Sequence, residues 1–366
     1  MPASLSCPSC GSTFADRWRC SCGAPLAFVD RPLPDSSHPP DPVTLDRDRG
    51  LWAFEEFLPL GREVTLGEGW TPLVSAPEWD AAFKLEYVFP TGSFKDRGAA
   101  TTLSRAIELG VDTVVEDSSG NAGAAIATYA ARAGLDARIY VPAGVKKSKL
   151  RAIERAGATP VRIEGSREDV TDACLKAVEH GKGWYASHAW NPAFFAGTST
   201  VAFEIAAQRD WSAPDAVVTP LGHGTLFLGA YRGFRALRDA GWIDRIPRLL
   251  GAQASGYAPI AEAVHGEDVD GGDGAGETNE VADGIQIREP VQREAILEAV
   301  GATDGDVIAL SEDAVERELD ALHASGFYTE PTCAVAPAAL DEFRERGVLD
   351  AEADVVVALT GSGLKS

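Results

Sequence analysis

The 366 residues are 45% hydrophobic, 8% aromatic and 24% charged, a globular composition with enough apolar residues for a large buried core. Lys and Arg total 33 against 55 Asp and Glu, a formal charge of −22 that repels phosphate backbones and excludes general nucleic-acid binding. No stretch approaches the roughly 18 uninterrupted apolar residues of a membrane span, and Met1-Pro2-Ala3-Ser4 lacks the start of a secretory signal, so the expectation is a cytoplasmic protein without membrane partners, its acidic surface suited to a salt-rich cytoplasm.

Four of the six cysteines lie in residues 1–26, where Cys7-Pro8-Ser9-Cys10-Gly11 and Cys20-Ser21-Cys22-Gly23 form paired knuckles. Four thiolates on two tight turns can close a tetrahedron around a structural Zn²⁺, which makes a zinc ribbon; otherwise they are four free surface thiols. Neither they nor the isolated Cys174 and Cys333 make a disulfide framework. Residues 27–50 are Pro-rich and polar and read as an extended linker.

From Leu51 onward, strand-like and helix-like segments alternate. The run 83–88 reads as a strand, followed by Pro90-Thr91-Gly92-Ser93-Phe94-Lys95-Asp96-Arg97-Gly98. Lys95 then stands where a strand turns into a helix. It is either a solvated charge or, in a chain with only eight lysines, a Schiff-base candidate. The strand 113–115 runs into Ser118-Ser119-Gly120-Asn121 and an alanine-rich helix over 122–133. That junction is an anion seat or an ordinary serine N-cap. Strands follow at 137–141 and 160–163 with a helix between them, and later at 216–219 and 354–359.

Gly222-His223-Gly224-Thr225 opens a helix over 226–237 and suits a single phosphate. A dinucleotide fingerprint needs glycine where Phe227 stands, so an NAD enzyme is disfavoured. His223 is an acid–base candidate or a polar loop residue. The acidic, glycine-rich stretch 266–279 misses the EF-hand pattern at positions 272, 273 and 279 and reads as a solvated loop. Leu359-Thr360-Gly361-Ser362-Gly363 brings two hydroxyls to the end of the last strand. Short apolar strands separated by helices predict an α/β fold: two doubly wound open sheets, a larger and a smaller domain, plus the N-terminal ribbon. The expected division is 1–26 ribbon, 27–50 linker, 51–98 with 200–366 large domain, and 99–199 small domain.

In this order the segments resemble the threonine synthase family, pyridoxal-phosphate enzymes of the tryptophan-synthase-β fold type. The likeness covers nearly the whole chain, from L-G-E-G-W-T-P-L at 66–73 through P-T-G-S-F-K-D-R-G, S-S-G-N, Asn191-Pro192, Phe203-Glu204-Ile205 and Glu330-Pro331-Thr332 to T-G-S-G-L-K at 360–365. It implies pyridoxal phosphate in the interdomain cleft, Lys95 as Schiff-base lysine and base, and Asn121 on the cofactor's 3′-oxygen. Gly222, His223, Gly224 and Thr225 would seat the phosphate, and Thr360 with Ser362 would face the pyridine nitrogen. Ser118, Ser119, Gly120 and His188 would bind a small amino-acid substrate. The implied reaction converts O-phosphohomoserine and water to threonine and phosphate. β-Elimination or β-replacement by a paralogue is the alternative, and a non-catalytic zinc-ribbon protein ranks below both. Homodimers are common in the family. The departures concern the substrate: Phe89 stands for the family's Asn, Phe194 for a phosphate-gripping Arg, and His188-Ala189-Trp190 for its polar residues, with His188, Lys146 or Lys147 as candidate replacements.

Overall fold

The computed structural model describes residues 2–266 and 278–365. The positions that decided against an EF-hand lie outside the described residues, apart from Asn279. In chain order the strands are β1 (Leu5–Ser6), β2 (Thr13–Phe14), β3 (Ala27–Phe28), β4 (Leu73–Ala76), β5 (Ala81–Lys84), β6 (Thr113–Glu116), β7 (Asp136–Pro142), β8 (Thr159–Ile163), β9 (Trp184–Tyr185), β10 (Ala216–Pro220), β11 (Arg248–Ala254), β12 (Asp306–Leu310) and β13 (Val355–Ala358). The helices are α1 (Lys95–Glu108), α2 (Asn121–Ala133), α3 (Lys147–Arg155), α4 (Arg167–Glu179), α5 (Pro192–Gln208), α6 (Thr225–Asp239), α7 (Pro259–His265), α8 (Arg293–Ala302), α9 (Glu312–Ala324) and α10 (Pro331–Glu345).

Two compact units divide the chain: Met1–Pro34 with Asp46–Gly69 and Lys95–Thr200, and Asp35–Leu45 with Trp70–Phe94 and Val201–Ser366. The first holds a parallel four-stranded sheet in the order β8-β7-β6-β9 and a small antiparallel sheet, β2-β1-β3. The second holds six strands in the order β12-β11-β10-β13-β5-β4, parallel except for the β4–β5 edge pair. Local chemistry sets the helix ends. Alanine-rich α2 stops at Gly134 in the left-handed region, and α4 starts on a Ser166–Asp169 capping box. Strands β10 and β13 are buried at every position, as strands covered on both faces must be.

The structure redraws three sequence boundaries. The cysteine segment is not a free-standing 26-residue finger. Its sheet extends to Phe28, and Leu5, Cys7, Cys20, Leu26 and Phe28 share one core with Trp52, Leu103 and Ile126. The strand expected over 83–88 ends at Lys84 and gives way to a 3-10 turn, Glu86–Val88. Residues 51–69 and 95–98, assigned above to the larger domain, and 46–50 of the linker cluster with the first unit instead. Within the Pro-rich stretch, residues 35–45 lie along the second unit, where the indole N–H groups of Trp211 and Trp242 donate to the Pro40 and Ser36 carbonyls at 2.7 and 2.8 Å. No helix among the described residues is long and apolar enough to cross a membrane.

Candidate active site

In the first unit, half-buried Lys95 is the first residue of α1. Its neighbours in the motif hold structure. Asp96 Oδ2 accepts from the Tyr129 hydroxyl at 3.3 Å, and Arg97 Nη1 donates to Thr200 Oγ1 at 2.9 Å. A Cβ on Gly98 would enter the Phe194 ring, and one on Gly197 would strike the Arg97 carbonyl, so the two glycines let α1 and α5 approach closely.

Strand β6 delivers Ser118 to Asn121. The N-cap of α2 is Gly120, with no side-chain cap, and Ser118 Oγ accepts instead from the Gly120 N–H at 3.3 Å. Of the two sequence readings, the serine N-cap is therefore absent. A Cβ on Gly123 would collide with the Ser118 carbonyl, so the second glycine of S-S-G-N-A-G packs the helix onto the strand end. His188 is buried just beyond β9, its Nδ1 2.7 Å from Glu116 Oε1.

The candidate phosphate-gripping corner is apolar. Phe194 is fully buried against Gly98, and Trp190 meets Trp18 edge-on at 5.1 Å. Lys146 and Lys147 are exposed.

In the second unit, Gly222 to Thr225 join β10 to α6. Gly224 caps the helix at φ 75°, again without a side-chain cap. Only glycine adopts that conformation readily, and a Cβ there would meet Ile296. Half-buried His223 stays in this loop. Thr360 and Ser362 are buried beyond β13. The Thr360 hydroxyl lies 3.4 Å from Cys333 Sγ, which also accepts the Gly361 N–H at 2.9 Å, and burial pushes the Cys333 thiol up to about 12.

At the N-terminus the Sγ atoms of Cys7, Cys10, Cys20 and Cys22 all lie within 4.8 Å of one another, with Cys7–Cys22 at 3.6 Å and Cys10–Cys20 at 3.4 Å. Sulfurs about 2.3 Å from a tetrahedral Zn²⁺ would stand about 3.8 Å apart, so the donor set fits that ion. Positive φ at Gly11 and Gly23 closes the two knuckles.

The sequence reading missed Glu116 and Cys333. An acid ending a valine strand was the available signal for Glu116; Cys333 had none, since its contact with Thr360 spans 27 residues. An open recess of about 580 Å³ lined by Pro2, Asp30, Pro59 and Glu108 contains none of the residues above.

In the first unit a lysine heads α1 and a strand end runs into α2; in the second a glycine loop opens α6 and a neutral hydroxyl lies beyond the last strand; each is a kind of donor suited to pyridoxal phosphate. Residues 64–361 match the family described as pyridoxal-phosphate dependent enzyme, and the chain belongs to that family. At closer range it is similar to threonine synthases. That of Methanocaldococcus jannaschii is 32% identical over 98% of this chain and 92% of its own length; that of Methanosarcina acetivorans is 31% identical over 99% and 92%. Among solved structures, maize serine racemase aligns with a TM-score of 0.69 at 23% identity, over 80% of this chain and 88% of that one, a likeness of fold. A tomato (Solanum lycopersicum) threonine deaminase aligns at 0.67 and 20%, over 80% and 79%.

Proposed function

We propose that this chain is a pyridoxal-phosphate-dependent lyase acting on a small amino acid, with O-phosphohomoserine plus water to threonine plus phosphate as its first candidate reaction. The observation carrying this reading is Lys95 at the head of α1, on the unit that also brings Ser118–Asn121 to the end of β6. Pyridoxal phosphate, when bound, supplies an electron sink for negative charge at the substrate Cα.

The chain's own residues do the rest. Lys95 carries the cofactor and moves the Cα proton, and Asn121 hydrogen-bonds the cofactor's 3′-oxygen. Ser118, Ser119, Gly120 and His188 bind the substrate, with its carboxylate at the N-terminal end of α2. Gly222, His223, Gly224 and Thr225 hold the phosphate, where local N–H donors outweigh an overall field hostile to anions. Thr360, with Ser362, offers the ring nitrogen a neutral hydroxyl, which leaves the ring unprotonated and suits elimination and replacement.

One observation favours a second reading, β-elimination or β-replacement on an amino acid without a phosphate. A dianionic group needs a bidentate donor or several paired ones. Here Phe194 is core, Trp190 packs on Trp18, and Lys146 and Lys147 face solvent.

The four cysteines we assign to one structural zinc, on the strength of the sulfur spacing.

Protein loaded with pyridoxal phosphate should absorb near the blue edge of the visible, and Lys95→Ala should abolish that band. Colourless loaded protein would remove both readings. Phosphohomoserine assayed for phosphate and threonine, beside serine and threonine assayed for 2-oxo acids, then decides between them.

A further inference from the structure

Strand β6 buries Val114 and Val115 and ends on Glu116, which is equally inaccessible. Glu116 Oε1 lies 2.7 Å from His188 Nδ1, and Oε2 has no hydrogen-bond partner. Such a carboxyl is costly as an anion unless nearby charge compensates. Asp117 repels it from the same strand end, while Arg167 of α4 and Lys95 of α1 attract it. The neighbouring hydroxyls of Tyr185 and Thr171 donate to Asp117, at 2.9 and 2.6 Å. Burial outweighs these charges and holds the Glu116 carboxyl well above the ordinary carboxylate range.

The partner stands at the same sheet edge. Tyr185 pairs with Val115, and the Ala186 N–H donates to the Val115 carbonyl at 2.9 Å, so the chain leaving β9 passes the carboxyl end of β6. Ligands of open parallel sheets sit at that edge. The His188 ring meets Phe194 edge-on at 6.1 Å, and Phe194 lies on Gly98, one turn into the helix that Lys95 opens.

We propose that Glu116 and His188 share a proton across the Oε1–Nδ1 contact and thereby keep His188 Nε2 protonated, as the donor to the oxygen that leaves the substrate. The inference rests on the lyase reading above and adds a residue role to it. His188 is the catalytic member and Glu116 the positioning one. As the C–O bond breaks, its electron pair passes to the departing oxygen, which takes the Nε2 proton. The proton from Glu116 moves onto Nδ1. The pair ends as a carboxylate beside a neutral imidazole and regains its proton from water.

The sign of the pH effect follows. A carboxyl whose folded value is raised keeps its proton as pH climbs past the ordinary carboxylate range, so the pair still offers Nε2–H at neutrality. In Glu116→Gln no carboxyl proton can follow onto Nδ1, so only the imidazolium can give up its Nε2 proton without becoming an anion, and that form is lost above about 6.5.

Full-length protein labelled with ¹⁵N-histidine, with and without pyridoxal phosphate, tests the pair directly. His188 in the wild type should show a protonated Nε2 and constant shifts from pH 6 to 8, and in Glu116→Gln it should titrate in that interval. With whichever substrate turns over, kcat of Glu116→Gln should fall about tenfold per pH unit above about 6.5, while the wild type stays level. A wild-type His188 that titrates near 6.5 overturns the proposal, even if the variant does not fold. Absence of any turnover would sink the lyase reading, and the nitrogen titration would still decide the pair.

Discussion

Lys84 illustrates how a residue carried in a recognisable segment can be structural rather than chemical. Its ammonium is fully buried in the second unit, donating to the Thr71 carbonyl at 2.7 Å, Glu204 Oε2 at 2.8 Å and Gln208 Oε1 at 2.8 Å. Thr71 Oγ1 in turn donates to Glu86 at 2.6 Å. The W-T-P-L and F-E-I segments, 133 residues apart, are thus joined by one polar network, Glu204 Oε2 also accepting the Thr71 N–H. Breaking a buried ion pair from one side strands the other charge, which costs about 3–5 kcal/mol, whereas replacing both partners by apolar groups is often neutral. Lys84→Ala should therefore lower stability in denaturant titrations by about that amount. Lys84→Met with Glu204→Leu should recover most of the loss. A single variant as harmful as the pair would mean that the network's worth lies in packing and not in charge.

Among the elements, the N-terminal sheet departs furthest from its sequence reading. Four cysteines in 16 residues were legible because metal-ligand spacing is local. That Cys7 and Cys20 would be buried in the core of the first unit was not legible, because the contacts are made with residues beyond position 50. The loop between the knuckles is held as well. Trp18 meets Tyr185 edge-on at 5.6 Å, Asp16 Oδ2 accepts from Trp184 Nε1 at 2.9 Å, and Arg105 Nη2 donates to the Ala15 carbonyl at 3.1 Å. Metal loss should then loosen more than the knuckles. Cys7→Ser is expected to lose bound zinc and to lower the unfolding temperature of the whole first unit. An unchanged melting profile after zinc loss would show the sheet to be energetically separate. The parallel strands at 113–116, 216–220 and 355–358 were readable for the opposite reason, since near-continuous burial leaves an apolar run in sequence. At 83–88 the apolar/charged alternation continued but the strand did not: Glu86 is drawn to Thr71, and the backbone turns after Lys84. The motifs of the candidate site were legible by order, whereas Glu116 and Cys333 depend on partners 72 and 27 residues away.

For the molecule as a whole, a formal charge of −22 is a standing self-repulsion. Screening acts over about 10 Å at 0.1 M salt and about 3 Å at 1 M, so most of the repulsion between exposed carboxylates should vanish across that interval. Melting temperature is expected to rise as KCl goes from 0.1 to 1 M. Hydrophobic strengthening by salt would move it the same way, so a charge variant is needed to separate the causes. Glu316 and Asp320 serve: both are exposed on α9 and stand four residues apart, a like-charge pair worth about 0.2–0.5 kcal/mol of destabilisation. Glu316→Gln with Asp320→Asn should raise the melting temperature at 0.1 M KCl and make no difference at 1 M. If the double variant gains equally at both concentrations, the benefit is helix propensity; if it loses stability at low salt, self-repulsion is not what limits this acidic chain.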